Sequence, residues 1–142
     1  MEYDFEKLGK EIVTESLQGA KGAPELAGEM ARKIIVSAVA GTRDNQEPSV
    51  TIAAVCRGVM NGMMLLGLDL PKTAVALIKQ MSSVAHETGL APADCMIWAM
   101  EGIAPIAWLA PGGTAEKIRR SIEENFFQDQ EVLKKLVHTI GS

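Results

Sequence analysis

Four prolines set the limits on what this chain can fold into. Pro24, Pro48, Pro71 and Pro92 each stand just before an apolar run, at intervals of 24, 23 and 21 residues. Gly22, Gly41, Gly67 and Gly89 each close the run that comes before. A proline has no N–H to offer a helix interior, but in the first helical turn that donor has no partner anyway. Glycine takes the left-handed backbone conformation in which helices commonly end. Repeated four times, this asymmetry predicts a series of helices joined by short turns.

The runs between these marks keep helical spacing. Helix one is predicted from Asp4 to about Ala20, with a stripe of Phe5, Leu8 and Ile12 widened by Val13 and Leu17. Helix two is predicted from about Pro24 to Ala40. It carries Leu26, Met30, Ile34 and Ala38 on one side and Ala27, Ala31 and Ile35 beside them, with Glu29 and Lys33 as an i,i+4 pair on its wet face. Helix three, Pro48 to about Leu66, is apolar nearly all round and broken only by Ser49, Thr51, Arg57 and Asn61. Such a helix belongs in the middle of a domain or in a subunit interface. Its Gly58 and Gly62 are spaced for close approach of a second helix in a soluble core.

Helix four is predicted from Pro71 to about Thr88, with Ala74, Leu77, Ile78, Met81, Val84 and Ala85 inward. Helix five begins at Pro92 and carries Cys95, Ile97, Trp98 and Met100; Pro105 is expected to kink or end it. After Pro111-Gly112-Gly113, Thr114 is the expected N-cap of one long helix or of two joined near Asp129.

Composition agrees with helices. Apolar residues make up 47% of the chain and aromatics only 4%, so the core must be built from Ala, Val, Ile, Leu and the eight Met. Little β-branched alternation is present to support a sheet. At 142 residues the chain is expected to form one domain over 1–142 with a core that needs no disulfide or metal. The expected fold is all-α, a compact bundle of about six to seven helices around a nearly all-apolar central helix (about 48–66). The proline spacing hints at stacked helical hairpins. Side-chain identities do not recur between segments, however, and a globular bundle is expected in preference to a solenoid.

Charge and motif content exclude several functions. The net charge is −4 and the basic clusters, such as Arg32-Lys33, are short and flanked by Glu, so no nucleic-acid partner is expected. The segment Val84 to Leu90 resembles a helix-turn-helix in its spacing. The positions that would reach bases, Ala91, Pro92, Ala93, Met96, Ile97 and Met100, cannot read a base edge or grip phosphate. No membrane span is expected either, because Arg57 offsets the apolar residues of Val50–Leu68. The acidic start, Met1 to Glu6, lacks a signal-peptide core, and two cysteines without an export signal point to the cytoplasm.

No metal-ligand spacing or nucleophile motif is present, so neither a metal nor a cofactor is expected, and no catalytic residues are assigned. His86 and His138 read as exposed residues of last helical turns, and Cys95 as a buried thiol in a first turn. Polar residues in apolar context remain: Arg57 and Asn61 on helix three, Glu101 and Trp98 on helix five. An internal Arg57–Glu101 pair fixing helix register is the first expectation. The same residues, Arg57, Asn61, Trp98 and Glu101, are the candidate floor of a small ligand pocket. For function the apolar excess suggests a non-enzymatic interaction module that self-associates as a two-fold dimer. The alternative is a small-molecule-binding or sensing bundle that uses the face between helices three and five.

Overall fold

The computed structural model describes residues 3–41 and 46–141; Met1 and Glu2, at the head of the acidic start, and Ser142 lie outside them. The chain enters its first helix at Asp4, whose carboxylate accepts a hydrogen bond from the Lys7 backbone N–H at 2.9 Å. Seven helices follow: α1 (Phe5–Ser16), α2 (Ala23–Ala40), α3 (Pro48–Leu65), α4 (Leu70–Thr88), α5 (Pro92–Leu109), α6 (Thr114–Asn125) and α7 (Gln130–Gly141). No strand occurs among the described residues. Pro24, Pro48, Pro71 and Pro92 all stand in first turns. Gly89 ends α4 at a φ of 78°.

Three local expectations need adjustment. Helix one stops at Ser16, because Leu17 already serves as its C-cap. Helix five does not end at Pro105 but runs to Leu109. Pro105 and Glu101 both lie on its exposed side, so the Glu101 carbonyl that loses a donor has water in reach. The C-terminal region is two helices, and Asp129 starts the second by accepting from the Val132 N–H at 3.2 Å. Gly113, not Thr114, caps α6; the Thr114 hydroxyl instead donates to the Pro111 carbonyl.

The helices form a compact bundle with an alternating plan. Odd-numbered helices lie side by side in the order α1, α3, α5, α7, and even-numbered ones in the order α2, α4, α6. Each helix thus packs on the next but one in sequence, as in stacked helical hairpins. α3 and α5 begin 44 residues apart, at Pro48 and Pro92, and so do α4 and α6, at Leu70 and Thr114. This is the stacking that the proline spacing hinted at.

Glycines set how closely the odd layer packs. A Cβ at Gly58 would stand 2.0 Å from the Glu6 carbonyl oxygen, and one at Gly102 would stand 2.2 Å from that of Ala53. Backbone therefore meets backbone where α1 crosses α3 and where α5 crosses α3. Gly62 lies against Lys10 and Val13 of α1 in the same way. Between the layers, Leu17, Ile35, Ile52, Met60, Met63, Leu77, Ile78, Met81, Met100, Ile103, Ile118 and Ile122 are fully enclosed. Each such side chain contributes about 1.5–3 kcal/mol from burial alone. α3 touches α1, α2, α4 and α5 and buries Ile52, Val55, Cys56, Val59, Met60 and Met63 among them. None of the helices described is long and apolar enough to cross a membrane.

Candidate functional site

The four residues proposed from sequence do not gather around one cavity. Arg57 turns toward α1, where its Nε donates to Glu6 Oε1 at 2.8 Å. The two side chains keep 34% and 40% of their surface exposed, so this ion pair sits at the rim of the core. Asn61, one turn further along α3, and Trp98 on α5 are half-buried, while Glu101 is exposed. No ion pair joins Arg57 to Glu101. The cause lies in the glycines: Gly58 and Gly62 let α1 settle directly on α3, which brings Glu6 over Arg57. Nothing in the spacing of Glu6 marks it as the partner.

The reactive side chains are withdrawn or dispersed. Cys56 and Cys95 are both free and buried. Burial pushes the Cys56 thiol up to about 12. Burial, reinforced by the carboxylate of Asp94, raises Cys95 as well. A thiol held neutral is a poor nucleophile and metal ligand. His86 and His138 are exposed in the last turns of α4 and α7. Among the described residues no three His, Cys, Asp or Glu side chains stand close enough to share a metal ion.

The surface holds more structure than these groups do. A polar groove of about 480 Å³ crosses the even layer between Glu25 of α2, Lys72 and Lys79 of α4, and Glu124 of α6. Another, of about 600 Å³, lies where α3 and α5 end, between Met64, Leu68, Leu70, Ala110 and Pro111. A small one of about 140 Å³ lies beneath Trp108, whose indole N–H donates to the Ile140 carbonyl at 2.7 Å and ties the end of α7 to α5.

The fourth groove is apolar. It has a volume of about 460 Å³ and runs between α1 and α2, lined by Tyr3, Phe5, Leu8, Ile34 and Ala38, with Lys33 and Ser37 at its lip. The groove exists because α1 and α2 scarcely touch: α1 packs on α3, and α2 on α4. Inside the stack, a gap between an odd and an even helix is closed by the next hairpin. Among the described residues no helix covers this end. Ala27, Ala31 and Ile35 of α2 are buried, but Leu26, Met30, Ile34 and Ala38 remain partly or largely open, as do Leu8 and Ile12 of α1.

The opposite end of the stack has another character. α6 and α7 bury one stripe each, Ala115, Ile118 and Ile122, and Val132, Leu136 and Ile140. Their exposed positions include Glu116, Lys117, Arg120, Glu123, Lys134 and Lys135. Ion pairs from Glu116 to Arg119 and Arg120 lie across that surface. The α6–α7 end is covered mainly by charge, with Phe127 exposed in the turn between the two helices, while the other end presents an apolar groove.

No protein-family model matches the chain, and neither a curated protein nor a solved structure matches it.

Proposed function

We propose that the protein is a non-enzymatic helical interaction module that associates with itself through one end of its helical stack. The observation that carries this reading is the contrast between the two ends. In a stack of helical hairpins the terminal units need a polar outer face to stay in water as single chains. α6 and α7 have such a face over most of their length, whereas the α1–α2 end leaves six apolar side chains partly or largely uncovered, three of them (Leu8, Ile34 and Ala38) lining a groove. Apolar surface collected in one place marks a contact surface more often than scattered exposed residues do. Among the described residues both thiols are withdrawn into the core, and no three His, Cys, Asp or Glu side chains stand close enough to share a metal ion.

Sedimentation velocity across a concentration series tests the reading. The expected result is a reversible dimer in the micromolar range, and a single monomeric species up to high micromolar concentration overturns it. The alternative of a small-molecule site between α3 and α5 has less support. None of the four grooves described above is lined by Arg57, Asn61, Trp98 or Glu101.

A further inference from the structure

Resting on this self-association, we infer that the α1–α2 face meets the same face of a second copy about a two-fold axis running across the helices, with α2 antiparallel to its mate. Closure, area and charge favour a second copy and this orientation.

The first is closure. The outer faces of α6 and α7 are mostly charged, with Phe127 exposed in the turn between them, so an end-to-tail contact would set much of this face against charge and strand apolar groups. A two-fold contact matches apolar face to apolar face and leaves both charged ends in water.

The second is area. α1 and α2 together hold 30 helical residues. At about 1.5 Å of rise and about 10 Å of width, they offer a footprint of roughly 450 Å² per copy, or about 900 Å² for two. Side-chain relief adds to this flat projection and carries it past the roughly 1,000 Å² that a specific interface requires.

The third is charge, which chooses between the two possible axes. The start of α1 lies beside the end of α2, since Phe5 and Leu8 share the groove with Ile34 and Ala38. Exposed Lys7 and Lys33 lie toward that end and outnumber the exposed Asp4 there. Toward the α1–α2 turn lie Glu11, Glu15 and Glu29, which outweigh Lys21. An axis parallel to the helices would set like charge beside like. An axis across them reverses one copy, so that Lys33 approaches Glu29 of the second copy on both sides of the dimer. Opposed charges at a rim fix register and orientation.

Five variants test this. Ile34→Glu puts a carboxylate into the groove and is expected to weaken the dimer about a hundredfold or more. Ser37→Arg, at an already exposed lip position, is expected to do the same and keeps the test open should Ile34→Glu fail to fold. Lys33→Glu is expected to weaken association about three- to tenfold at low salt, and Lys33→Glu with Glu29→Lys to restore it. Met30→Cys lies near the middle of α2 and is expected to oxidise to a disulfide-linked dimer. With the axis parallel to the helices, α2 would face α1 of the other copy, and the two new thiols would stand about a helix width or more apart, beyond disulfide reach.

The outcomes separate cleanly. A monomeric wild type defeats the self-association reading and this inference with it. Should its groove take an apolar dye that Ser37→Arg excludes, the groove belongs to a small ligand instead. A wild-type dimer indifferent to both Ile34→Glu and Ser37→Arg leaves self-association standing and moves it to another face. A dimer sensitive to both variants, with no Met30→Cys linkage and no rescue by the charge exchange, overturns the orientation.

Discussion

Gly58→Ala adds one methyl group where α1 crosses α3, and its cost follows from the geometry. The new Cβ would lie 2.0 Å from the Glu6 carbonyl oxygen and 2.8 Å from its carbon, while real Cβ atoms essentially never come closer than 3.0 Å. Backbone cannot rotate out of the way as a side-chain tip can, so α1 has to move off α3 by about an ångström. A gap of 0.5–1 Å already forfeits about a quarter to a half of the dispersion energy of the atoms along it. Phe5, Val13 and Leu17 fix α1 to the core. At about 1.5–3 kcal/mol each, their loosening costs about 1–4 kcal/mol. Replacing a mid-helix glycine by alanine returns about 0.8–1.0 kcal/mol. The expected net loss is about 1.6 kcal/mol at the middle of that range and about 3 kcal/mol at most, equivalent to a fall in Tm of about 5–10 °C for a chain of this length. Gly141→Ala is the control, since nothing lies within 4 Å of a Cβ there; it is expected to change stability by less than about 0.5 kcal/mol. Urea unfolding followed by circular dichroism measures both. A Gly58→Ala protein as stable as the wild type or more so would show that the two helices are not held at this distance by the missing methyl.

Other outcomes follow from the same contacts. Gly102→Ala, whose Cβ would stand 2.2 Å from the Ala53 carbonyl oxygen, is expected to cost a similar 1–3 kcal/mol or so in the same urea experiment. Arg57→Met and Glu6→Gln are expected to cost at most about 1 kcal/mol each, with a coupling of about 0.2–1 kcal/mol in a double-mutant cycle, because their ion pair is open to solvent. Trp108→Phe removes the hydrogen bond to Ile140 and is expected to cost about 1 kcal/mol, with faster amide exchange concentrated at the end of α7. Both thiols are expected to react slowly with a thiol reagent in the native protein and at once in urea. Since burial raises Cys56 from its ordinary value of 9.0 to about 12, stability is expected to fall as pH climbs through that interval, where the unfolded thiol ionises and the folded one does not. A flat stability profile above pH 9 or rapid native labelling would contradict the burial of these groups.

The fold was legible because its signals are local. A proline in a first turn and a glycine after the last need no partner to act, so helix starts at residues 23, 48, 70 and 92 fall within a residue of their marks. The apolar period gave the buried face of α4 directly, since Ala74, Leu77, Ile78, Met81, Val84 and Ala85 are all in the core. Gly58 and Gly62 gave a close helix contact, and α1 makes it. The end of α1 and the passage of α5 through Pro105 were harder to read, because both depend on neighbours. Leu17 is wanted in the core as a cap, and Pro105 is harmless only where its lost hydrogen bond faces water.

The polar residues of α3 were misread in their pairing for a related reason. Sequence could say that Arg57 needs an acceptor, yet which acid supplies it depends on which helices lie on either side. Glu101 stood out because its own surroundings are apolar, but the alternating plan puts α1 as well as α5 against α3. Glu6 reaches Arg57 first, and the charge that looked buried is shared with solvent.

The groove, by contrast, was present in the sequence as an excess. Helix two shows two adjacent apolar ridges, Ala27, Ala31 and Ile35, and Leu26, Met30, Ile34 and Ala38. A helix packed on one side in a two-layer stack needs only the first. The small residues of that ridge, together with Gly28 against the Ala76 carbonyl, take α2 close to α4, and Ile35 is sealed within the core. The larger ridge is left facing the gap toward α1. α6 is a useful contrast within the same layer: it has one buried ridge, and charge covers the rest. An apolar arc wider than its own chain can bury is thus the sequence trace of a surface waiting for a partner. On α2 it coincides with the end of the stack that no other described helix covers.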